Sequence, residues 1–535
     1  MTSLAALFPS LLALTFVVVP LDDRPVTAQL PRLLGAIAGV RVVEPPRPLL
    51  GRYLTPGQPD AILRWLRAGT PADAAEYVVS SDMAVYGGLV ASRIPGVSRG
   101  LGYTRLQDLA DFRASRPSAS FAVFGTVMRL APTGVPALGP AAAFPFSGEQ
   151  WPLIQKYANL PDPPVSEADR ATAARLRERL GPVLDAYLET RARNRDVDLF
   201  ALREAAEGAF DRVVLGQDDA GPVGLHLRDL AALRGFAARW VPPARASIEP
   251  GADELGMALV GAALARQAKL VPRVRVIYSR ADGGSINDPI EFAPISTTIA
   301  DLIRTCGGVM AASSAGAAPG AGSAADIDLF VNVPDTSDAD EERFVAAIGA
   351  DAAPAGTGRS AAGSLRRAPL AAVADLTFLK NEDYAQQRRL TNLLIDAGTA
   401  GRVGAFASWN TTANTVGTAL PEAIAVLAGR KLGTYDARMH ATFTLMRYVD
   451  DIAFHDDVRP KLNTGLTAAG IADHTYLAPD VARRTDSENR ALLWPDGLDL
   501  LARIAPQFRD AGFTIRLPWD RTFETELDVR LAPAR

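Results

Sequence analysis

The sequence predicts an α/β protein in which parallel strands alternate with helices. About eight short apolar runs precede residue 430, and segments with the apolar spacing of helices separate them. Such runs are typical of strands that are buried on both faces of a parallel sheet. The count favours a (β/α)8-barrel-like sheet. An open doubly wound α/β sheet, in two lobes, is the alternative.

Each expected strand is an apolar run that ends in a polar or glycine-rich loop. The expected strands are 15–20, 41–44, 76–82, 121–128, 212–215, 273–278, 326–333, 371–374 and 402–407. Ser166 begins a long helical stretch, because serine is a favoured N-cap residue. Further helices are expected at 26–38, 61–67, 225–239, 253–267 and 420–427. Two stretches rich in alanine, glycine and serine, 311–325 and 350–363, are expected to be surface loops.

The last hundred or so residues differ in pattern from the rest. Helices are expected around 437–449 and 490–508, followed by β segments at 513–519 and 526–531. The sequence therefore predicts an α/β catalytic-type domain over residues 1–430. A C-terminal α+β extension, residues 431–535, is expected to pack on it.

Composition narrows the classes of partner and cofactor. The chain has 535 residues, a net charge of -4 and no basic run, which argues against a nucleic-acid partner. One cysteine excludes an intrachain disulfide framework, and four histidines argue against a His- or Cys-rich zinc site. No cofactor is therefore expected, although an oxygen-ligated cation stays open.

The N-terminal segment is apolar from Leu4 to Val19, but no lysine or arginine precedes it. The positively charged start of an export signal is therefore missing. The segment is also too short to cross a membrane once a first strand is subtracted from it. We expect a cytoplasmic protein without a stable membrane span, with export through this segment as the alternative.

Asp218 and Asp219 are the catalytic candidates. They follow the apolar run at 212–215 and stand among glycines and a proline. Two adjacent carboxylates in such a loop can be desolvated and can divide the roles of acid and base. The alternative is a turn, or a cap on the next helix.

Two further strand ends supply candidates for substrate binding. Asp22, Asp23 and Arg24 follow the first strand, where Arg24 either binds an anionic or hydroxyl-rich ligand or pairs with one of the two aspartates. Asp82 and Tyr86 follow the third strand, next to a pair of glycines that allow close backbone approach.

Two later strand ends complete the predicted set. Trp409 offers an aromatic face, and Asn410 and Asn414 offer two amides. Sugars are commonly bound by such a combination, because their C–H faces stack on indole and their hydroxyl groups pair with amides. The alternative is a buried tryptophan beside a helix cap. Arg280 and Asp282 lie in a polar loop after another strand.

All these loops are expected at one end of the sheet. Parallel strands that are joined by helices bring their carboxyl ends to the same side. Asp22, Asp82, Asp218, Asp282 and Asn410 should therefore share one pocket, with Trp409 as its roof.

Several motifs together resemble the bacterial family known as domain of unknown function 4127. They are VPLDDRPV (19–26), PPRPLLG (45–51), SSDMAVYGGLVASR (80–93), LGQDDAGP (215–222), GADE (251–254), SWNTTANTVG (408–417) and LPWDRTFE (517–524). The motifs span nearly the whole chain. The family carries no assigned activity, so the resemblance implies no substrate.

The predicted function is a hydrolase that acts on a carbohydrate, in the manner of a glycosidase. Strand-end aspartates, few histidines and the absence of a nucleotide-binding motif favour it. The expected partner is a small molecule or an oligosaccharide. Two alternatives stay open: a metal-dependent hydrolase such as a phosphoesterase, and a carbohydrate-binding protein without catalysis.

Overall fold

The computed structural model of the chain describes residues 14–136, 139–311, 325–352, 368–379 and 384–534. Most of the expected N-terminal segment and most of the two expected alanine-rich loops lie outside these residues. Within them, no helix has both the length and the apolar character that crossing a membrane requires.

The first sheet is parallel and contains β1 (Thr15–Val19), β2 (Arg41–Val43), β3 (Glu76–Ser80), β4 (Ser120–Val127), β5 (Arg212–Gln217) and β6 (Ala246–Pro250). The strands lie in the order β2-β1-β3-β4-β5-β6. A π-helical segment (Pro25–Gln29) follows β1. The helices of this part are α1 (Leu30–Ile37), α2 (Pro59–Gly69), α3 (Ser81–Tyr86), α4 (Leu89–Ser92), α5 (Arg99–Ala114), α6 (Gln150–Ala158), α7 (Glu167–Leu180), α8 (Pro182–Glu207), α9 (His226–Trp240) and α10 (Leu255–Gln267).

The second sheet is also parallel and contains β7 (Arg273–Tyr278), β8 (Val309–Met310), β9 (Ile327–Asn332), β10 (Leu370–Asp375) and β11 (Ala405–Ala407). Its helices are α11 (Ile295–Thr305), α12 (Asp338–Asp351), α13 (Tyr384–Asp396) and α14 (Thr412–Leu432). The strands lie in the order β8-β7-β9-β10-β11. Counted from its own first strand, each sheet therefore begins with the order 2-1-3-4-5, a common order of doubly wound sheets.

The expected barrel is not what the strands form. They make two open sheets, so the alternative, an open doubly wound arrangement in two lobes, describes this chain. The reason is α10, which leads from β6 to β7 and is buried along nearly its whole length. A helix that is apolar all round lies between layers rather than on a surface. It therefore separates the two sheets instead of covering one continuous barrel.

Two central helices join the sheets. α10 packs on β3 and β4 of the first sheet, and α14 packs on β10 and β11 of the second. The two helices also pack on each other, and α1 and α11 contact them. Gly261 of α10 lies so close to Pro421 of α14 that a Cβ there would be 3.3 Å from the proline ring. Small residues thus bring the two helices, and with them the two sheets, close together.

The first sheet is covered on both faces, as its apolar runs predict. Phe16 and Val18 of β1 point into the core between the sheets, whereas Val17 and Val19 point toward the outer helices α2, α3, α5 and α8. Successive side chains of a strand point to opposite faces. The first expected strand is therefore confirmed as a fully buried one.

The chain after α14 covers the strand ends. It contains α15 (Ala437–Arg447), a π-helical segment (Tyr448–Val458), α16 (Arg459–Ala468), α17 (Pro479–Ile504) and an antiparallel hairpin of β12 (Phe508–Arg516) and β13 (Glu526–Pro533). The two expected β segments at the end of the chain are thus confirmed. The apolar core between the sheets continues into this segment. A domain boundary at residue 430 stays a prediction.

The central position of α10 leads to a test of stability. Leu264 lies in α10 and is fully buried, so Leu264→Ala should lower the free energy of unfolding by about 2–5 kcal/mol. Leu498→Ala is the matched control, because Leu498 is 38% exposed on α17. The control should change the free energy by no more than about 0.5 kcal/mol. Urea unfolding would measure both, and equal losses would contradict a central role for α10.

Candidate functional site

A large polar cavity of about 1020 Å³ lies at the carboxyl ends of β1, β4, β5 and β6. The start of α14 and the C-terminal segment face these strand ends across it. The charged and amide side chains that define this polar cavity include Arg24, Arg93, Arg129, Asp218, Asp219, Asp253, Glu291, Asn410, Asn414, Arg459 and Arg521. Open α/β sheets bind ligands at such strand ends.

Asp218 and Asp219 lie side by side in the wall of this cavity, directly after β5. The guanidinium group of Arg93 donates to Asp218 Oδ2, and Arg129 Nη1 donates to Asp219 Oδ2 at 3.0 Å. The backbone N–H of Asp219 donates to Asp218 Oδ1 at 2.9 Å. Neither residue caps α9, which begins at His226 after Leu225. The two carboxylates therefore have separate cationic partners.

The surroundings push the pKa values of the two carboxyl groups apart. Burial alone would raise the pKa of Asp218, but Arg93 and Arg129 lower it overall. Burial is the main cause that raises the pKa of Asp219, and the negative charge of Asp218 raises it further. Asp219 remains 44% exposed, because it faces the open cavity, whereas Asp218 is 6% exposed. The surroundings thus promote ionisation of Asp218 and oppose ionisation of Asp219.

Arg24 connects the end of β1 with the end of β6. Its Nε and Nη2 donate to the carboxylate of Asp22, at 3.0 and 2.8 Å, and its Nη1 donates to Asp253 Oδ2 at 2.8 Å. The sequence left open whether Arg24 binds a ligand or pairs within its own loop. Arg24 is paired with two carboxylates and still lines the cavity.

Asp23 holds the C-terminal segment against the first sheet. Its Oδ1 accepts a hydrogen bond from Trp519 Nε1 at 2.7 Å, and its Oδ2 pairs with Arg47. The indole of Trp519 lies between Arg24 and Arg521, whose guanidinium carbons are 4.7 and 4.6 Å from the ring. Cation–π contacts of this kind stabilise a buried ring. Asp22 and Asp23 thus position Arg24 and Trp519 and do not themselves line the cavity.

The carboxyl group of Glu254 connects the loop after β6 of the first sheet with α14, which packs on the second sheet. Its Oε2 accepts hydrogen bonds from Asn414 Nδ2 at 2.7 Å and from the N–H of Ala252 at 3.2 Å. Burial raises the pKa of Glu254 well above its usual value, so we expect a neutral carboxyl group. Asn414 in turn accepts from Asn410 Nδ2 at 2.6 Å. This chain of hydrogen bonds fixes the two predicted amides.

The N-terminus of α14 is fully satisfied, which orients Asn410 and Asn414. Thr411 is the N-cap and accepts from the N–H of Asn414 at 3.1 Å. The N–H groups of Thr412 and Ala413 donate to carboxylates of the 288–291 loop, Asp288 Oδ2 and Glu291 Oε1, each at 2.8 Å. Burial and the neighbouring Asp288 raise the pKa of Glu291. These bonds satisfy the first three amides of the helix.

Asp82 and Tyr86 are placed behind the site rather than in it. Asp82 Oδ2 accepts from the N–H of Thr126 at 2.8 Å, and burial raises the pKa of Asp82 to about 7. Tyr86 is buried beneath the guanidinium of Arg193, 4.4 Å away. The loop that follows them contributes Arg93 instead.

Arg280 and Asp282 also lie apart from the polar cavity. They form a bidentate ion pair with distances of 2.6 Å on an exposed loop after β7, and Asp282 is 59% exposed. Neither residue lines the polar cavity or the smaller one beside it. The expected convergence thus brings together Asp218 and Asn410, but not Asp22, Asp82 or Asp282.

Trp409 does not form a roof over the polar cavity. Its indole Nε1 donates to Thr418 Oγ1 at 3.1 Å, and the ring belongs to the core between the sheets. It lines a second cavity of about 320 Å³, together with Val26, Leu30 and Phe378. This apolar cavity lies at the carboxyl ends of β10 and β11 and adjoins the polar one.

Several residues of the site escaped the reasoning from the sequence. They are Arg93, Arg129, Asp253, Glu291, Trp519 and Arg521. Arg93, Asp253, Trp519 and Arg521 all lie within the motifs that carry the family resemblance. Those motifs could have pointed to them, whereas Arg129 and Glu291 stand in no such motif.

The described residues contain no group of three or more His, Cys, Asp or Glu side chains that could hold a metal ion. Arg24, Arg93 and Arg129 pair with the strand-end carboxylates of Asp22, Asp218 and Asp219.

Gly251 makes the Glu254 arrangement possible. Its φ is +105°, and an added Cβ would lie 1.9 Å from Glu254 Oε1 and 2.7 Å from Ala413 Cβ. Gly251→Ala should therefore be strongly destabilising. Gly433→Ala is the matched control, because Gly433 also has a positive φ, +76°, but open space around it.

The control should cost about 1–2 kcal/mol for the backbone conformation alone. Gly251→Ala should cost about 1–3 kcal/mol more, because of overpacking. The midpoints of urea unfolding would measure the difference. Equal midpoints for the two variants would show that Glu254 does not require the glycine.

Comparison with known proteins places the chain by family. No curated protein and no solved structure matched the chain. The family model described as protein of unknown function (DUF4127) matches residues 16–528. That match includes the strand ends, α10, α14 and nearly all of the C-terminal segment. The chain therefore belongs to the DUF4127 family.

Proposed function

We propose that the protein is a hydrolase that acts on a carbohydrate and that Asp218 and Asp219 are its catalytic residues. One observation carries the proposal. Two adjacent carboxyl groups line the same polar cavity, and the surroundings lower the pKa of Asp218 and raise the pKa of Asp219. Pairs of carboxyl groups with separated pKa values are how glycosidases assign acid and base.

In this proposal Asp219 donates a proton to the oxygen of the leaving group. Its raised pKa makes Asp219 the better proton donor of the pair, and its exposure to the cavity gives a substrate access to it. Asp218 stays ionised and stabilises the positive charge that develops at the anomeric carbon, or steers a neighbouring acetamido group of the substrate. The Arg93 guanidinium holds Asp218 in the ionised form.

Hydroxyl groups of the substrate would bind to the opposite wall. Asn410 donates its amide N–H to Asn414, so its carbonyl oxygen is available to accept from a ligand. Asp253 supplies a further acceptor, and the guanidinium group of Arg24 also lines the cavity. Acceptors and donors on both sides suit a hydroxyl-rich ligand.

The first test replaces each carboxylate by its amide. Asp218→Asn and Asp219→Asn should each lower kcat on a panel of aryl glycosides and oligosaccharides by about 10²–10⁴-fold, the usual contribution of acid–base catalysis. Asp282→Asn is the matched control, because Asp282 is an exposed aspartate outside the cavity. The control should keep the activity of the wild-type protein.

Two outcomes would overturn the proposal. One is that the wild-type protein turns over no glycoside but binds sugars in a thermal-shift screen, which would favour a carbohydrate-binding protein. The other is that Asp282→Asn loses activity while Asp218→Asn retains it. That pattern would move the chemistry to the end of the second sheet.

The second test concerns pH. Arg129 lowers the pKa of both Asp218 and Asp219, so Arg129→Met should raise both pKa values. Asp218 must be ionised and Asp219 protonated, so both limbs of the profile of kcat/KM against pH should move to higher pH. Partly exposed ion pairs contribute about 0.2–1 kcal/mol, which corresponds to roughly 0.2–0.7 pH unit.

Arg177→Met is the control for this shift. Arg177 also pairs with an aspartate, Asp185, but both side chains are exposed and lie outside the cavity. Its profile should coincide with that of the wild-type protein. A profile of Arg129→Met that stays in place, or moves to lower pH, would contradict the assigned roles.

A further inference from the structure

The polar and apolar cavities adjoin each other and are together called the composite site. Residues Pro289, Ile290, Asn410, Arg459 and Phe523 line both of them. Since the carboxyl ends of the two sheets face each other here, a single ligand can reach from the Asp218–Asp219 wall into the apolar cavity. The volumes, about 1020 and 320 Å³, lie in the range of small-molecule sites.

The two parts of this space differ in chemistry. The polar part contains charged side chains from several strand ends, whereas Val26, Leu30, Phe378 and Trp409 form one wall of the apolar part. The other wall of the apolar part is polar and comes from the C-terminal segment, with Arg447, Asp450, His455, Arg459 and Glu524. Ile290 stands at the junction and is 39% exposed, although it is a large apolar side chain. Ile290 therefore offers an apolar contact to a ligand that extends from one cavity to the other.

Arg459 supplies a positive charge at the junction. It has no carboxylate partner among the described residues, in contrast to Arg447, which pairs with Asp450 and Asp451. Arg459 Nη1 lies 3.4 Å from Nδ1 of His455. Burial and the two nearby arginines lower the pKa of His455 well below its usual value, so the imidazole is neutral. The charge of Arg459 is therefore left without an anion.

We propose that the composite site binds one amphipathic ligand. Its hydroxyl-rich part lies in the polar cavity, its apolar ring system lies in the apolar cavity, and an acidic group of the apolar part pairs with Arg459. The first of these parts rests on the proposed function; the other two do not. In a glycoside, the apolar part is the aglycone, so the substrate class is a glycoside of an apolar acid.

Two fluorescent probes that differ in one group test the apolar part. 1-Anilinonaphthalene-8-sulfonate has two aromatic systems and a sulfonate, and N-phenyl-1-naphthylamine is the same molecule without the sulfonate. Both should bind the full-length protein saturably in a fluorescence titration. The sulfonate should strengthen binding by about 10-fold or more, since a hydrogen-bonded charge of this kind contributes about 1.5–3 kcal/mol and 1.4 kcal/mol is tenfold in Kd.

Variants locate the binding. Arg459→Met, with Arg459→Gln as a second variant, should remove the advantage of the sulfonate and leave the neutral probe unchanged. Ile290→Asp should weaken both probes by about 10-fold or more, because it places a carboxylate at the apolar junction. Val165→Asp is its matched control, since Val165 is 77% exposed and lines neither cavity.

The outcomes separate this inference from the proposed function. If Ile290→Asp and Val165→Asp bind both probes as well as the wild-type protein does, the probes lie elsewhere and the inference is wrong. It is also wrong if both probes bind equally and the Arg459 variants change neither. Loss of glycoside turnover in Asp218→Asn would support the hydrolase even then. Site-specific probe binding without any turnover would support the ligand and not the hydrolase.

Discussion

The packing of α10 against α14 is the contact on which the rest of the structure depends. Each helix lies on a different sheet, and both are buried on nearly all sides. Gly261 and Gly417 permit the close approach, the first beside Pro421 and the second beside Glu254, whose Cγ would be 2.3 Å from an added Cβ. This contact fixes the two sheets so that their carboxyl ends open into one space. Without it each sheet would offer its own crevice, and the wall with Asp218 would have no opposite wall with Asn410.

The site is held by charges that neutralise one another in pairs. Arg24 with Asp22, Arg93 with Asp218 and Arg129 with Asp219 each place a guanidinium against a carboxylate at a strand end. The pairs of Arg24 with Asp22 and Arg93 with Asp218 are buried, so removing one member would leave an uncompensated charge at considerable cost. The same pairs set the pKa values of the two candidate catalytic groups, because the cations act unequally on them. The ion pairs that hold the strand-end loops therefore also determine the acidity of the candidate catalytic groups.

Much of the local structure could be predicted from the sequence. The run at 15–20 is a buried strand, and Ser166 caps a helix through a capping box with Asp169. The barrel could not be separated from two sheets by counting strands, although the all-apolar character of α10 was a signal that went unused. The two sheets begin with the same strand order, but the sequence shows no corresponding internal repeat. Pairings over long distances, such as Asp23 with Trp519, have no local signature at all.

The C-terminal segment explains why the candidate site was only partly foreseen. The positions of the strand ends predict which residues lie at the carboxyl edge of each sheet. They do not predict which residues close the space between the two sheets. Here that closure comes from Arg459, Trp519 and Phe523, which line the polar cavity together with the strand ends of the first sheet. Trp519 is held through Asp23, so the first strand of the chain and its last hairpin depend on each other. The shape of the cavities is thus a property of the whole chain, and a fragment that ends with α14 would keep both catalytic candidates while losing one side of each cavity.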